Sequence, residues 1–181
     1  MRVTVFGSAR TREGTREYDQ AVRLGQLLAE RGDIIVCGGY GGVMEGVSRG
    51  ARSVGGSVVG VTVTPWAGRV TPNRYISEEV PAETLFERLE GLIASDALIA
   101  LDGGAGTLGE VALAWNLRQM DLMAPKHVIL VGGRWRHLIE AFRQWLIIDE
   151  SDLKLLTVVN TVDDAVEALE SEPTSGSAWL G

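Results

Sequence analysis

Cysteine, lysine and histidine are scarce in this chain of 181 residues, and each shortage removes a class of chemistry. A lone Cys37 excludes an internal disulfide framework and a cysteine-rich zinc site, and is the usage of a reducing cytoplasm. Only Lys126 and Lys154 could carry a pyridoxal Schiff base. The first falls at the entry end of an expected strand and the second in a polar stretch, neither at a ligand edge, so that chemistry is rejected. His127 begins a strand and His137 lies within a helix. Neither joins a Ser-His-Asp set, and the chain has no H-x-x-x-H or H-E-x-x-H spacing, so no metal is expected. Basic residues are outnumbered, 17 against 24 acids, for a net charge of −7. A duplex-binding or membrane-surface protein would need a basic footprint, so neither nucleic acid nor membrane is expected as a partner. Long apolar runs are missing as well: Met1–Gly7 is a short apolar stretch before polar residues, neither a signal peptide nor a membrane span. A cytoplasmic, soluble protein is expected.

Glycine, by contrast, is abundant: 23 residues, about 13% where roughly 7% is usual. No Gly-X-Y period accounts for them, so they mark particular backbone sites. Short β-branched runs (Val3–Phe6, Ile34–Cys37, Ser57–Val63, Ala97–Leu101, Val128–Val131 and a weaker one at Leu156–Val159) alternate with helical-period segments. The helices are expected at Tyr18–Glu30, Val43–Ser53, Thr84–Ala94, Thr107–Met120, Trp135–Leu146 and Val162–Glu170. This is the pattern of an α/β protein, a three-layer, Rossmann-like doubly wound parallel sheet with right-handed crossovers. Residues 1–171 read as one nucleotide-binding domain and 172–181 as a flexible tail. Trp66–Pro81, with prolines flanking and ending it, reads as an irregular loop over one strand end.

In such sheets ligands bind beyond the carboxyl ends of the strands. The glycines gather there: Gly7 after the first strand, Gly38-Gly39-Tyr40-Gly41-Gly42 after the second, Gly103-Gly104-Ala105-Gly106-Thr107-Leu108-Gly109 after the fourth, and Gly132-Gly133 after the fifth. Glycine lets a ligand approach backbone amides, and a following helix adds the positive end of its dipole. A phosphate-bearing small molecule is the expected partner. Gly104–Gly109 fits G-x-G-x-x-G, but it does not open a first βαβ unit and no ribose-binding acid ends a second strand downstream. A nicotinamide or flavin enzyme is disfavoured, and the lack of G-K-[ST] excludes a P-loop nucleotidase, so no cofactor is expected.

Asp102-Gly103-Gly104-Ala105-Gly106-Thr107-Leu108-Gly109-Glu110 matches P-G-G-x-G-T-x-x-E at every position except the proline. Together with Phe6-Gly7-Ser8, Gly38–Glu45 and Gly55-Gly56, it resembles the LOG ("Lonely Guy") family of lysine-decarboxylase-like Rossmann-fold proteins, related to molybdenum cofactor carrier proteins. The resemblance runs from residue 1 to about residue 170. It implies a homodimer that hydrolyses the N-glycosidic bond of a nucleoside 5′-monophosphate to free base and ribose 5-phosphate. The family's second hallmark, M-H-E-R-K, survives here only as Glu87-Arg88 within Leu85-Phe86-Glu87-Arg88-Leu89.

Thr107 and Glu110 have the spacing of a capping box; the resemblance implies instead that Gly103, Gly104, Gly106 and Thr107 hold the 5′-phosphate while Glu110 acts on the sugar. A first-turn position for Glu110 would favour its ionised form. Arg88 has no acid at i±3 or i±4 and takes the place of the motif's arginine, where it would orient the substrate. Gly7, Ser8, Gly38 and Gly39 complete the expected binding loops, and Asn73 and Arg74 are candidates for a covering loop. Val111–Trp115 is apolar in succession, so its helix is expected to be buried all round, in a core or a two-fold interface. The alternative to a hydrolase is a non-catalytic nucleotide or molybdenum-cofactor binding protein built on the same loops.

Overall fold

The computed structural model describes residues 1–64 and 68–174. Seven strands run through them: β1 (Arg2–Phe6), β2 (Ile34–Cys37), β3 (Val58–Val63), β4 (Glu78–Ala82), β5 (Ala97–Ala100), β6 (His127–Val131) and β7 (Thr157–Val159). All pair in parallel in the order β4-β3-β2-β1-β5-β6-β7. The helices between them are α1 (Arg16–Glu30), α2 (Val43–Ser53), α3 (Leu85–Ile93), α4 (Ala105–Gln119), α5 (Gly133–Trp145), α6 (Glu150–Leu153) and α7 (Val162–Ala168). This is the doubly wound α/β sandwich expected from the alternation. None of the described helices is long and apolar enough to cross a membrane.

Strand alternation sorts the apolar side chains onto two faces. Val3, Val5, Ile35, Cys37, Ile99 and Ile129 pack with α1, α2 and α7 on one side. Phe6, Val36, Val59, Leu98 and Leu130 pack with α3, α4, α5 and α6 on the other. One polar pin crosses the second layer: the buried Thr4 hydroxyl donates to Leu92 O at the end of α3 (2.6 Å) and lies 2.8 Å from the Ser95 hydroxyl. The strand order reverses between β1 and β5, so the loops after these two strands diverge and leave a crevice at their carboxyl ends.

Two elements depart from expectation. β4 lies inside the segment read as an irregular loop, and it includes Pro81, paired opposite Thr62. An edge strand needs hydrogen bonds on one side only and is mostly exposed, so it tolerates proline and charge and lacks an apolar signature. Residues 66 and 67 of that segment, residue 65 before it, and 175–181 of the expected tail fall outside the described residues. The other addition is α6, a single polar turn held by a reciprocal Asp149–Asp152 capping box.

Not every glycine sits at the ligand edge. A Cβ on Gly25 of α1 would lie 2.1 Å from Val47 O of α2, and one on Gly50 of α2 would lie 1.9 Å from Val22 O of α1. These two glycines let the helices cross backbone against backbone. Gly50→Ala is therefore expected to force α1 and α2 apart and to lower stability by about 1–3 kcal/mol, an overpacking cost measurable by urea unfolding.

Candidate active site

Where β1 ends, Gly7 carries no side chain because a Cβ there would strike Val43 of α2 at 2.5 Å. The chain then turns, with Ser8 N donating to Asp102 O (3.0 Å) and Val43 N donating to Ser8 O (2.9 Å). These bonds tie the loops after β1 and β5 to the start of α2. The resulting cavity, about 650 Å³, is lined by Gly7, Ser8, Gly38, Gly104, Gly106 and Thr107 from the expected set, with Arg88 and Glu110. Its size suits a small-molecule ligand.

The mouth of the cavity is the start of α4. Gly104 is the N-cap and has no side chain with which to accept from the first-turn amides, so these remain open beside the exposed Gly103–Gly106 turn. Uncapped amides at the positive end of a 15-residue helix have the charge and geometry to accept an anion. Because α4 begins at Ala105, Thr107 is its third residue and Glu110 its sixth. The T-x-x-E spacing is therefore no capping box, and Glu110 sits in the second turn rather than the first. Thr107 is buried, and a Cβ on Gly103 would lie 2.2 Å from its Oγ1, so Gly103 makes room for this hydroxyl.

Deeper in, α3 supplies Arg88. Its side chain is buried, its Nε donates to Val61 O of β3 (3.0 Å), and its Nη1 stands 3.6 Å from Glu110 Oε1. Sequence spacing offers no acid for Arg88 within its own helix; the partner comes from α4. Nη2 occupies the space where a Gly38 Cβ would be, at 2.0 Å. Glu110 is largely buried too, and loss of water raises its carboxyl from 4.5 to about 7, an effect that Arg88 only partly offsets. The expected helix-dipole bias toward ionisation is thus outweighed by burial. A carboxyl that titrates near neutrality, facing a cavity, can hold or release a proton at working pH.

The remaining expected residues lie elsewhere. Gly39 has φ +75° and packs against Gly60 and Thr62 behind the cavity. Asn73 and Arg74 are not among the lining residues: Asn73 Nδ2 donates to Tyr40 O (3.0 Å) and its Oδ1 accepts from Tyr75 N (3.0 Å), while Arg74 stacks on Tyr75. Tyr40, Met44, Val70 and Arg10 line the cavity without having been expected to. Tyr40 lies inside one of the glycine clusters, so its neighbours were the available signal; Val70 and Arg10 sit in loops whose course no periodicity reveals. Asp102, which stands in the motif's proline position, accepts from Arg134 Nη1 (3.0 Å), so its charge is answered locally. Lys126 donates to Ile93 O (3.0 Å) and to Ser95 O at the opposite end of the sheet, a structural task. Cys37 is fully buried, its thiol pushed up by desolvation. Nor is α4 enclosed on every side: Val111 and Ala114 are buried, but Leu108 and Ala112 face outward, because α4 covers the sheet with one face only.

A parallel sheet with an uncapped, glycine-rich helix start and a buried carboxylate–arginine pair at its switch point is a Rossmann-like arrangement. The chain belongs to the SLOG cluster4 family, whose model matches residues 1–144. It is 31% identical over 154 residues, 80% of this chain and 81% of the relative, to a cytokinin riboside 5′-monophosphate phosphoribohydrolase of Mycobacterium marinum. A probable enzyme of the same name from Oryza sativa is 36% identical over 143 residues, which cover 76% of this chain and 62% of the relative. In fold it is similar to the molybdenum cofactor binding protein of Rippkaea orientalis, at a TM-score of 0.75 and 23% identity over 93% of this chain and 94% of that one.

Burial of Glu110 makes stability depend on pH. Its folded pKa lies above its unfolded value, so the folded chain binds the proton more tightly, and stability falls as pH rises from 4.5 to about 7, then levels off. The loss is on the order of 3 kcal/mol. Glu110→Gln is expected to be more stable than the parent at pH 8 and indistinguishable from it near pH 4.5, as read by urea unfolding at the two pH values.

Proposed function

We propose that this protein is a phosphoribohydrolase that cleaves the N-glycosidic bond of a nucleoside 5′-monophosphate, working as a cytoplasmic homodimer of a single domain spanning residues 1–171. The carrying observation is the buried Glu110–Arg88 pair at the back of a cavity whose mouth is an uncapped helix start. Glu110 follows the α4 N-cap by six residues, about 9 Å along the axis, so one helix presents a phosphate site and a carboxylate at the spacing of a pentose phosphate. The named activity of the mycobacterial and rice relatives supports the same reading.

In this mechanism the amides of Ala105, Gly106 and Thr107, with the hydroxyls of Ser8 and Thr107, hold the 5′-phosphate. The C1′–N bond breaks with its electron pair leaving on the base, which takes up a proton. Positive charge develops on the sugar and is stabilised by the Glu110 carboxylate. Glu110 also orients a water and accepts its proton as the oxygen bonds to C1′, giving ribose 5-phosphate and free base. Arg88 fixes the Glu110 carboxylate and orients the substrate.

A second copy fits the apolar surface left on α3 and the strand before it. Phe86 is 82% exposed and Leu85 53%, with Val80 and Leu108 open nearby in sequence or on the adjoining helix. Apolar surface of this kind marks an association site. Phe86→Asp is expected to yield monomers by analytical ultracentrifugation; a parent chain that is already monomeric sinks the homodimer.

The decisive assay incubates the protein with a panel of nucleoside 5′-monophosphates and detects free base and ribose 5-phosphate. Release is expected, with an acid limb near pH 7 set by Glu110, and Glu110→Gln is expected to abolish release while leaving phosphate binding intact. Binding without release by the parent would instead favour a non-catalytic nucleotide or molybdenum-cofactor carrier.

A further inference from the structure

Beside the Gly103-Gly104 turn lies a second recess of about 390 Å³. Ser8, Arg10 and Gly104 line both spaces, so they meet where the 5′-phosphate is proposed to bind. The recess adds Arg12, Glu17, Asp102 and Arg134. Three guanidinium groups thus face two carboxylates. Both carboxylates are engaged by Arg134, at 3.0 Å for Asp102 and 3.8 Å for Glu17. Arg10 and Arg12 are in none of the ion pairs among the described residues. The recess therefore carries surplus positive charge with two guanidinium forks uncommitted, in a chain whose net charge is −7. Arginine forks suit the paired oxygens of a phosphoryl group.

An occupant of this recess that also fills the cavity must pass over Gly104. The space directly above Gly104 is open, since even a Cβ there would meet nothing within 4 Å. The chemical continuation of a 5′-phosphate at that point is a phosphoanhydride. We propose that the site takes nucleotides carrying a second phosphoryl group, with the β-phosphoryl seated among Arg10, Arg12 and Arg134, so that nucleoside 5′-diphosphates bind more tightly than the corresponding monophosphates. This inference rests on the nucleotide reading of the first cavity and adds to it a class of ligand, the nucleoside 5′-diphosphates, that competes with the monophosphate substrate.

Titration calorimetry of the full chain tests it with the 5′-mono- and 5′-diphosphates of adenosine, guanosine, cytidine and uridine, and with inorganic phosphate added to each monophosphate. For whichever base binds, the diphosphate is expected to bind about tenfold more tightly, the scale of one additional charge-assisted hydrogen bond. Arg12→Ala is expected to erase that difference while changing monophosphate affinity less than about twofold, and Arg12→Lys to restore part of it. Equal affinities for the two members of each pair overturn the inference, as does a diphosphate preference that survives both Arg12→Ala and Arg134→Ala. If free phosphate binds alongside a monophosphate as tightly as that preference requires, the recess is a separate anion site and the anhydride reading falls. Monophosphate binding without any diphosphate preference removes this inference alone; no binding by either series removes the nucleotide reading with it.

Discussion

The site depends on a guanidinium buried in a space that only glycine could leave open. Arg88 reaches from α3 across the end of β3, where Val61 O accepts from its Nε, and lies against Gly38 at the end of β2 before meeting Glu110 of α4. One side chain thereby joins two strands and two helices at the switch point of the sheet. Burying that charge requires partners, and here they include a carbonyl and a carboxylate. The carboxylate is in turn held in place, largely buried, and drawn to a pKa at which protonation changes near neutrality. Remove the space at Gly38 and the arginine must move; with it goes the positive charge that offsets the desolvation of Glu110.

Legibility from sequence followed the physical origin of each signal. The six apolar strands and their helices could be read because burial between two layers of helix imposes β-branched runs and a 3.6 period. β4 could not, because it is an exposed edge strand whose charges and Pro81 are what an edge requires. The glycine clusters located the ligand edge, since only a few kinds of site need so many missing side chains. Glycine also serves elsewhere: Gly25 and Gly50, outside those clusters, allow α1 and α2 to cross closely. The T-x-x-E spacing fits a cap only if the helix starts after Thr107, whereas α4 starts at Ala105, a boundary that Ala105-Gly106 does not announce. Arg88 and Glu110 were identified one by one, but their pairing joins residues 22 apart on different helices and could not be read from either helix alone. The loop residues Asn73 and Arg74 were read as polar and available, and their contacts could not be foreseen: Asn73 ties its segment to Tyr40, and Arg74 lies against its neighbour Tyr75.

Net acidity does not oppose the proposed binding of an anion at this scale. Exposed charges are screened within about 8 Å at physiological ionic strength, so the net −7 is felt weakly inside a crevice. What the proposed ligand would meet are amides at the start of α4 and a few arginines. Asp102 lies close to these amides, yet its Oδ2 is bound to Arg134, which also approaches Glu17. Negative charge beside the loop is in this way balanced before any ligand arrives.

Asp102 carries a further cost: its Oδ1 is buried and has no hydrogen-bond partner among the described residues. An unsatisfied buried acceptor typically costs about 1–3 kcal/mol, and a proline at this position would avoid it. What the carboxylate gives in return is the fixed position of Arg134, whose side chain is otherwise 74% exposed and would sweep a wide volume. A long exposed arginine loses side-chain entropy when it binds an anion, and a prior bond to Asp102 means that part of that ordering has already occurred. The same reasoning applies to Glu110, whose burial lowers stability at neutral pH in exchange for a proton affinity suited to chemistry. Both carboxylates are locally unfavourable to the fold, both border the Gly103–Thr107 loop, and each is coupled to an arginine from another element. Sites that sacrifice stability in this manner are where function is concentrated, which argues that the two recesses on either side of that loop act on one ligand.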